Sequence, residues 1–394
     1  MGEKMDIENR LHEIAEVFTK EDYNEDCTNN FLGDSSGAVL FLLYFAKQFG
    51  NETVLTKATD LFEKVAYAYN SSYAYPPSLA KFLFLALHVK QMGLIEVGDY
   101  SEEETALLQS YLRKTAIRFY KDRNFDILHG GLGNGIFLLK SGDLPGIKEM
   151  VKGAESLAEK DKNGLKWYAL TDYGENRWTY NLGFAHGIPS MVAMLSKIHQ
   201  KGVELEKCAE LIEGAVNYIL AQKLPKSGKY NSIFGNHALE SMESPHSSRL
   251  AWCYGDLGIA VALWRASKAL GRKDWEDEAK AILRHSSQRR DLKENAVIDA
   301  CFCHGTSGIA HVFNRMWRET GMPECKDAAA YWINQTLSMA RFEDGLAGYK
   351  TWQGDKRGFQ NEYGLLEGIA GVGLTLLSFL SDEDSAWDEC LLLS

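Results

Sequence analysis

Apolar positions along this chain fall into two alternating kinds of segment. One kind is apolar almost without interruption over helix length, as in Ile259-Ala260-Val261-Ala262-Leu263-Trp264 and Ile309-Ala310-His311-Val312-Phe313. The other is one-sided. Cys208-Ala209-Glu210-Leu211-Ile212-Glu213-Gly214-Ala215-Val216-Asn217-Tyr218-Ile219 and Trp275-Glu276-Asp277-Glu278-Ala279-Lys280-Ala281-Ile282-Leu283 keep apolar residues on one helical face and charges on the other. That pattern marks a helix half exposed to water. The alternation predicts helical hairpins, each pairing a mostly buried helix with a solvent-facing one.

Each apolar helix is preceded by a turn of common form. Aligned, the turns read Gly33-Asp34-Ser35-Ser36-Gly37, His129-Gly130-Gly131-Leu132-Gly133, His186-Gly187-Ile188-Pro189-Ser190, Tyr254-Gly255-Asp256-Leu257-Gly258, His304-Gly305-Thr306-Ser307-Gly308 and Glu367-Gly368-Ile369-Ala370-Gly371. A weaker copy, Tyr75-Pro76-Pro77-Ser78, has lost its glycines and brings the number to seven. Periods of roughly 45 to 70 residues fit a solenoid or a closed array. Apolar helices without a polar face fit an inner ring covered by an outer one. The expected fold is all-α: an α/α toroid of seven inner and seven outer helices, a single domain over residues 1–394. The glycines permit close backbone approach, and at helix starts they are expected to leave N–H groups and positive dipole facing the barrel mouth. Polar loops around 161–180, 224–248 and 342–363 precede three inner helices, and their aromatics, among them Trp178, Tyr230 and Trp352, suit the walls of a substrate groove.

The turns also carry chemistry. Cys253 and Cys303 share one slot in neighbouring repeats, and His304 occupies the next slot with Tyr254, His186, His129 and Glu367. In a closed ring equivalent slots lie at one height, and packed helices stand roughly 8–10 Å apart. Two thiolates and an imidazole make a zinc set with an open fourth position, as a catalytic site requires. Cys253, Cys303 and His304 are therefore the expected ligands of one Zn2+, and His186 is a candidate acid or base. A disulfide between the two cysteines is the bland alternative, and Cys301 reads as a small buried hydrophobe.

The net charge of -11 argues against nucleic acid. Seven scattered cysteines suit a reducing compartment. No signal peptide or transmembrane run is apparent, and Asp6 breaks a myristoylation motif that Gly2 would begin. The expected location is cytoplasmic.

Trp252-Cys253-Tyr254-Gly255, Cys303-His304-Gly305 and Ala185-His186-Gly187-Ile188-Pro189, set in this repeat, resemble the lanthionine synthetase C (LanC) cyclases over nearly the whole chain. The resemblance implies a double α/α barrel, one zinc ion, and addition of peptide cysteine thiols to dehydroalanine or dehydrobutyrine in a ribosomal peptide. It matches Cys253, Cys303 and His304 to the zinc ligands, His186 to the acid/base, Asp126 to the aspartate opposite it, and Arg249 and Tyr254 to further active-site positions. The implied partners are a dehydrated precursor peptide and a separate dehydratase, since the first repeat begins near Phe31. There are departures. Ser190 replaces a glycine, and Asp172–Trp178 lacks the additional histidine that relatives often carry there. His129 is read as rim lining. Other readings are thiol (glutathione) addition to dehydroamino acids by the same residues, a zinc-stabilised peptide-binding scaffold, and an α/α-toroid glycosidase. The last would enlist Asp126 and Glu367 at about 5–9.5 Å but leaves the cysteines unexplained.

Overall fold

The computed structural model describes residues 2–20, 23, 33, 35–71, 76–98, 101–172, 177–383 and 385–394. Asp34, Tyr75 and most of the stretch without the extra histidine (173–176) lie outside them.

The described residues form α1 (Gly2–Thr19), α2 (Ser35–Phe49), α3 (Glu52–Ser71), α4 (Pro76–Met92), α5 (Glu102–Lys121), α6 (Gly131–Lys140), α7 (Leu144–Leu157), α8 (Ile188–Gln200), α9 (Leu205–Leu220), α10 (Asp256–Leu270), α11 (Lys273–Ser286), α12 (Thr306–Thr320), α13 (Pro323–Ser338) and α14 (Ile369–Leu380). Six short strands, β1 (Glu159–Asp161), β2 (Gly164–Lys166), β3 (Ala169–Asp172), β4 (Arg177–Thr179), β5 (Thr351–Trp352) and β6 (Phe359–Gln360), pair antiparallel in sequence order. These hairpins are a departure from the sequence pattern, which gave little sign of strands. All six lie in the segments expected as polar loops or beside them, where two or three alternating residues are too few to show a period.

Two compact units divide the chain. One comprises Met1–Gly98 and Val297–Asp388, the other Asp99–Ala296 and Glu389–Ser394. In the first, the helices that follow the turn motifs pack in the order α12, α14, α2, α4, and α1, α3 and α13 lie against them. Helix α1 precedes the first turn motif and packs on α14, α13, α2 and α3. In the second unit α6, α8 and α10 pack in succession, flanked by α5, α7, α9 and α11.

Burial follows the two sequence patterns. Every residue from Ile369 to Ser378 of α14 is buried, and so is nearly all of α8. In α11 the buried residues are Trp275, Ala279, Ile282, Leu283 and Ser286, a single stripe at helical spacing. At about 25 cal/mol per Å2 of apolar surface, these stripes hold the flanking helices in place. Local signals fix the ends. Ser101 and Glu104 form a reciprocal capping box on α5, and Asp143 caps α7 ahead of a proline in its first turn.

Candidate functional site

In the second unit the turns before α6, α8 and α10 are joined by their backbones. The Ile127 N–H donates to the Ala185 carbonyl at 3.1 Å, and the Ala185 N–H to the Cys253 carbonyl at 3.2 Å. Asp126, His186 and Cys253 therefore sit on adjoining turns. His186 Nδ1 donates to Asp126 Oδ2 at 2.6 Å, while Asp126 Oδ1 accepts from the Leu128 and His129 N–H groups at 2.5 and 3.0 Å. The imidazole is thereby oriented with its Nε2 as the edge available for chemistry.

The same pair sets its own ionisation. Burial pushes the Asp126 carboxyl up, but the charge and hydrogen bond of His186, with His129, outweigh burial and hold it below its ordinary value. Burial also disfavours the His186 imidazolium. The Asp126 charge and hydrogen bond, with a contribution from Cys253, overcome it and raise that pKa. The result is a histidine that gains a proton readily and keeps it beside a carboxylate.

Tyr254 closes the other side. Its ring centroid lies 5.4 Å from that of His186, and His237 meets it edge-on at 6.2 Å. Asn181 Nδ2 donates to the Tyr254 hydroxyl at 3.1 Å. His237 shares a hydrogen bond with Thr179 Oγ1 at 3.0 Å. Burial, followed by the Arg177 charge and His246, lowers its pKa to about 4, so it stands neutral at physiological pH. Cys253 is buried, and Arg249 is half-buried four residues before it.

What holds the Arg249 segment is a buried ion pair. Arg289 donates to Asp256 Oδ2 at 3.0 Å, to the Ser248 carbonyl at 2.8 Å and to Asn295 Oδ1 at 2.9 Å. Asp256 also accepts from the Ile233 and Phe234 N–H groups, which ties the 224–248 loop to the start of α10. Gly255, at φ +96°, is required twice over. A side chain there would be strained, and its Cβ would stand 2.2 Å from the Arg249 carbonyl oxygen.

In the first unit Cys303 and His304 share the turn before α12. The Cys303 N–H donates to the Leu366 carbonyl at 2.8 Å, joining this turn to the one before α14. Cys303 Sγ and a ring nitrogen of His304 lie within 4.8 Å, and both residues are half-buried. A Cβ on Gly308 would stand 1.7 Å from the Phe302 carbonyl oxygen, so only glycine lets the helix start approach this turn. The thiol and imidazole pair is the kind of soft, borderline donor set that zinc takes.

His304 has a second set of donors, Asp299 and Cys301, also within 4.8 Å. Both Asp299 oxygens are already engaged, by the Cys301 N–H at 3.0 Å and the Trp352 N–H at 2.8 Å. Burial, with Asp299 beside it, pushes the Cys301 thiol well up. These groups serve the turn, and Cys301 is the buried small residue the sequence suggested. None of the six described cysteines is in a disulfide. His129 is exposed, and Glu367 accepts from Gln353 Nε2 at 2.7 Å.

One sequence expectation is corrected here. The first N–H groups of the motif helices do not all face outward. Those of Gly131, Ile188, Thr306 and Ile369 donate to the carbonyls of Asn124, Asn181, Asp299 and Glu362 in their own turns. The chain folds back on the helix start and consumes a donor there.

The same contacts reveal residues the sequence reading passed over. Asn124, Asn181 and Asp299 each stand five residues before a rim slot, and each side-chain oxygen accepts the N–H two residues on. These are Asx turns. An Asn or Asp at that fixed offset before His-Gly was the available signal. His237 had no such signal, because its place is set by the loop that carries it.

A helical repeat with an imidazole–carboxylate pair across two adjoining turns and a cysteine–histidine pair on another places its candidate chemistry at the starts of buried helices. A family model described as "Lanthionine synthetase C-like protein" matches residues 34–392, and the chain belongs to that family. It is 22% identical over 420 residues to "Nisin biosynthesis protein NisC" of Lactococcus lactis subsp. lactis, covering 99% of this chain and 95% of the relative. The solved structure of "Nisin cyclase" matches with a TM-score of 0.72 at 19% identity, over 99% of this chain and 97% of that one. Identity that low speaks for the fold, which is the α/α toroid expected from the helical hairpins. No helix among the described residues is long and apolar enough to cross a membrane.

Proposed function

We propose that this chain, acting as one domain over residues 1–394, is a zinc-dependent lanthionine cyclase. It adds cysteine thiols of a dehydrated precursor peptide to dehydroalanine or dehydrobutyrine and closes thioether rings. The observation that carries the reading is the Asp126–His186 hydrogen bond of 2.6 Å, beside Tyr254, on the turn joined to that of Cys253. Membership of the lanthionine synthetase C-like family supports it.

Cys253, Cys303 and His304 would hold one zinc ion, which when bound would favour the thiolate form of a peptide cysteine at neutral pH. His186 Nε2 accepts the proton that the thiol loses, and Asp126 stabilises the imidazolium so formed. Sulfur then adds to Cβ of the dehydroamino acid. A C–S bond forms, the C=C electron pair moves toward the neighbouring carbonyl, and an enolate results. Arg249, permanently charged, steadies the enolate oxygen, and the His186 imidazolium returns its proton to Cα. The peptide's mass does not change, because the reaction is an isomerisation. The same residues would serve thiol addition by glutathione, which instead raises the mass of its acceptor.

The dehydrated peptide would come from a separate dehydratase, and the reaction suits the cytoplasm, where thiols stay reduced. The test is incubation of the zinc-loaded protein with a dehydrated precursor peptide, followed by thiol alkylation and mass spectrometry. Loss of alkylable thiols at constant peptide mass is expected. Zinc content of the wild type against Cys303→Ala, by elemental mass spectrometry, tests the ligand set without reference to turnover. Near-stoichiometric metal, lost in the variant, is expected.

A further inference from the structure

His237 reaches the site on the 224–248 loop, and its main chain is fixed there. It bridges Asn181. The Leu182 N–H donates to the Asn236 carbonyl at 3.0 Å, and the Ala238 N–H to the Tyr180 carbonyl at 2.9 Å. The Leu239 N–H donates to Gln222 Oε1 and the Tyr180 N–H to Ser241 Oγ, each at 3.0 Å. The loop is thus stitched to the segment that runs on into His186.

The side chain is held as firmly. His237 is 9% exposed. Its ring meets that of Tyr254 edge-on at 6.2 Å, and His186 lies against the same Tyr254 ring at 5.4 Å. Nδ1 shares a hydrogen bond with Thr179 Oγ1 at 3.0 Å, which fixes which way round the imidazole sits. The other nitrogen, Nε2, has no hydrogen-bond partner among the described residues. A polar atom left unpaired in so buried a place is costly to a fold and calls for a use. Packing against Tyr254 would need only an aromatic ring.

Burial, the Arg177 charge and His246 keep this imidazole neutral. A neutral imidazole has one donor and one acceptor nitrogen. Whichever part Nδ1 takes toward Thr179, Nε2 is left with the other. A peptide main chain offers the complement to either, a carbonyl or an N–H. The shared Tyr254 ring also limits the distance. His237 and His186 stand no farther apart than about three or four residues of extended peptide.

We propose that His237 Nε2 is a binding contact for the main chain of the precursor peptide, a few residues from the dehydroamino acid that His186 serves. The inference rests on the cyclase reading for the identity of the peptide. It gives His237 no part in proton transfer and makes substrate binding the step this residue governs.

Two substitutions divide the imidazole between them. His237→Asn puts a polar atom where Nδ1 stood, within reach of Thr179, and leaves nothing at Nε2. His237→Gln reaches the Nε2 position and gives up Thr179. The probe is a dehydrated precursor peptide with its cysteines replaced by alanine, which cannot cyclise, and its dissociation constant is measured by calorimetry with zinc-loaded protein. Expected is a weakening of about 10-fold in His237→Asn, mostly recovered in His237→Gln. With the cysteine-bearing dehydrated peptide the same loss should fall on KM rather than kcat. A histidine that only holds the loop predicts the reverse order, with affinity and Tm lost in His237→Gln and kept in His237→Asn, and that order would overturn the proposal. The imidazole 15N resonances of the wild type give a reading that needs no variant to fold. His237, whose pKa lies at about 4, is identified as an imidazole still neutral at about pH 5. Its Nε2 should shift as the alanine peptide is added, and an unshifted Nε2 would overturn the proposal. A wild type that binds no such peptide would count against the cyclase reading, and this inference would fall with it.

Discussion

The turns before α8 and α12 are built on one plan and put to different uses. Each begins with an Asx residue, Asn181 or Asp299, whose side chain accepts the N–H two residues on and whose carbonyl accepts the first N–H of the helix. Each ends in His-Gly. At Asn181 the second edge of the side chain is a donor and reaches Tyr254. At Asp299 it is an acceptor and takes the Trp352 N–H. On the proposed reading, the first turn would manage protons and the second would offer sulfur and nitrogen to a metal. The two backbones repeat while the side chains differ, Asn181 against Asp299 and Ala185 against Cys303, which is how a repeat can supply rigid positions for unlike groups.

The comparison can be broken most forcefully at the turn before α12. Cys303→Ala should lose bound zinc and lower ring closure by about 10³-fold or more, a loss of the order produced when an essential activated nucleophile is removed. Retained zinc with full activity would remove Cys303 from the ligand set. His186→Ala should lower kcat by about 10²–10⁴-fold while leaving zinc content unchanged, which separates the two turns directly.

Asp126→Asn should act next, and chiefly through pH. Asp126 holds the His186 pKa up against burial, so with the charge gone burial prevails and the pKa falls. The His186 limb of the pH–rate profile should then move to lower pH. Stability should change in the same sense. The folded pKa of His186 lies above its ordinary value, so its contribution is full below about 6.5 and is lost as pH rises through the folded value. Asp126, held low, contributes above about 3.9 and ceases to do so as pH falls through its folded value. The Tm difference between wild type and Asp126→Asn should therefore be largest in mildly acidic buffer and shrink at alkaline pH. A difference independent of pH would remove the pair from the account.

The smallest effect is expected at Asp299. Asp299→Asn keeps one acceptor for the Cys301 N–H but sets an NH2 against the Trp352 N–H, leaving that donor unsatisfied at a cost of about 1–3 kcal/mol. Tm should fall with no shift in the pH–rate profile, the opposite of what Asp126→Asn should do to that profile.

These contrasts also show what a linear reading could and could not recover. The buried helices were readable because glycine turns and unbroken apolar runs repeat, and the stripe Trp275, Ala279, Ile282, Leu283 followed from helical period alone. His186, Cys303 and His304 stood out because their residue types are chemically costly in an apolar surrounding. The pairing of Asp126 with His186 was implied by family resemblance, since 60 residues separate them and no local pattern joins them. Asn181, Asp299 and Glu362 carry an equally regular spacing, yet alignment on the glycines drew attention past them. Asp256 looked like a turn residue and is the buried partner of Arg289. The hairpins over Glu159–Thr179 escaped notice because three- and four-residue strands hold too few alternations to register.

The most direct measurement is the count of alkylable thiols on a dehydrated precursor peptide, followed over time with the zinc-loaded wild type and with His186→Ala. The account predicts that thiols disappear at constant peptide mass with the wild type and at least about 10²-fold more slowly with the variant. A folded, zinc-loaded wild type that leaves every thiol alkylable, or a His186→Ala protein that keeps pace with it, would contradict it.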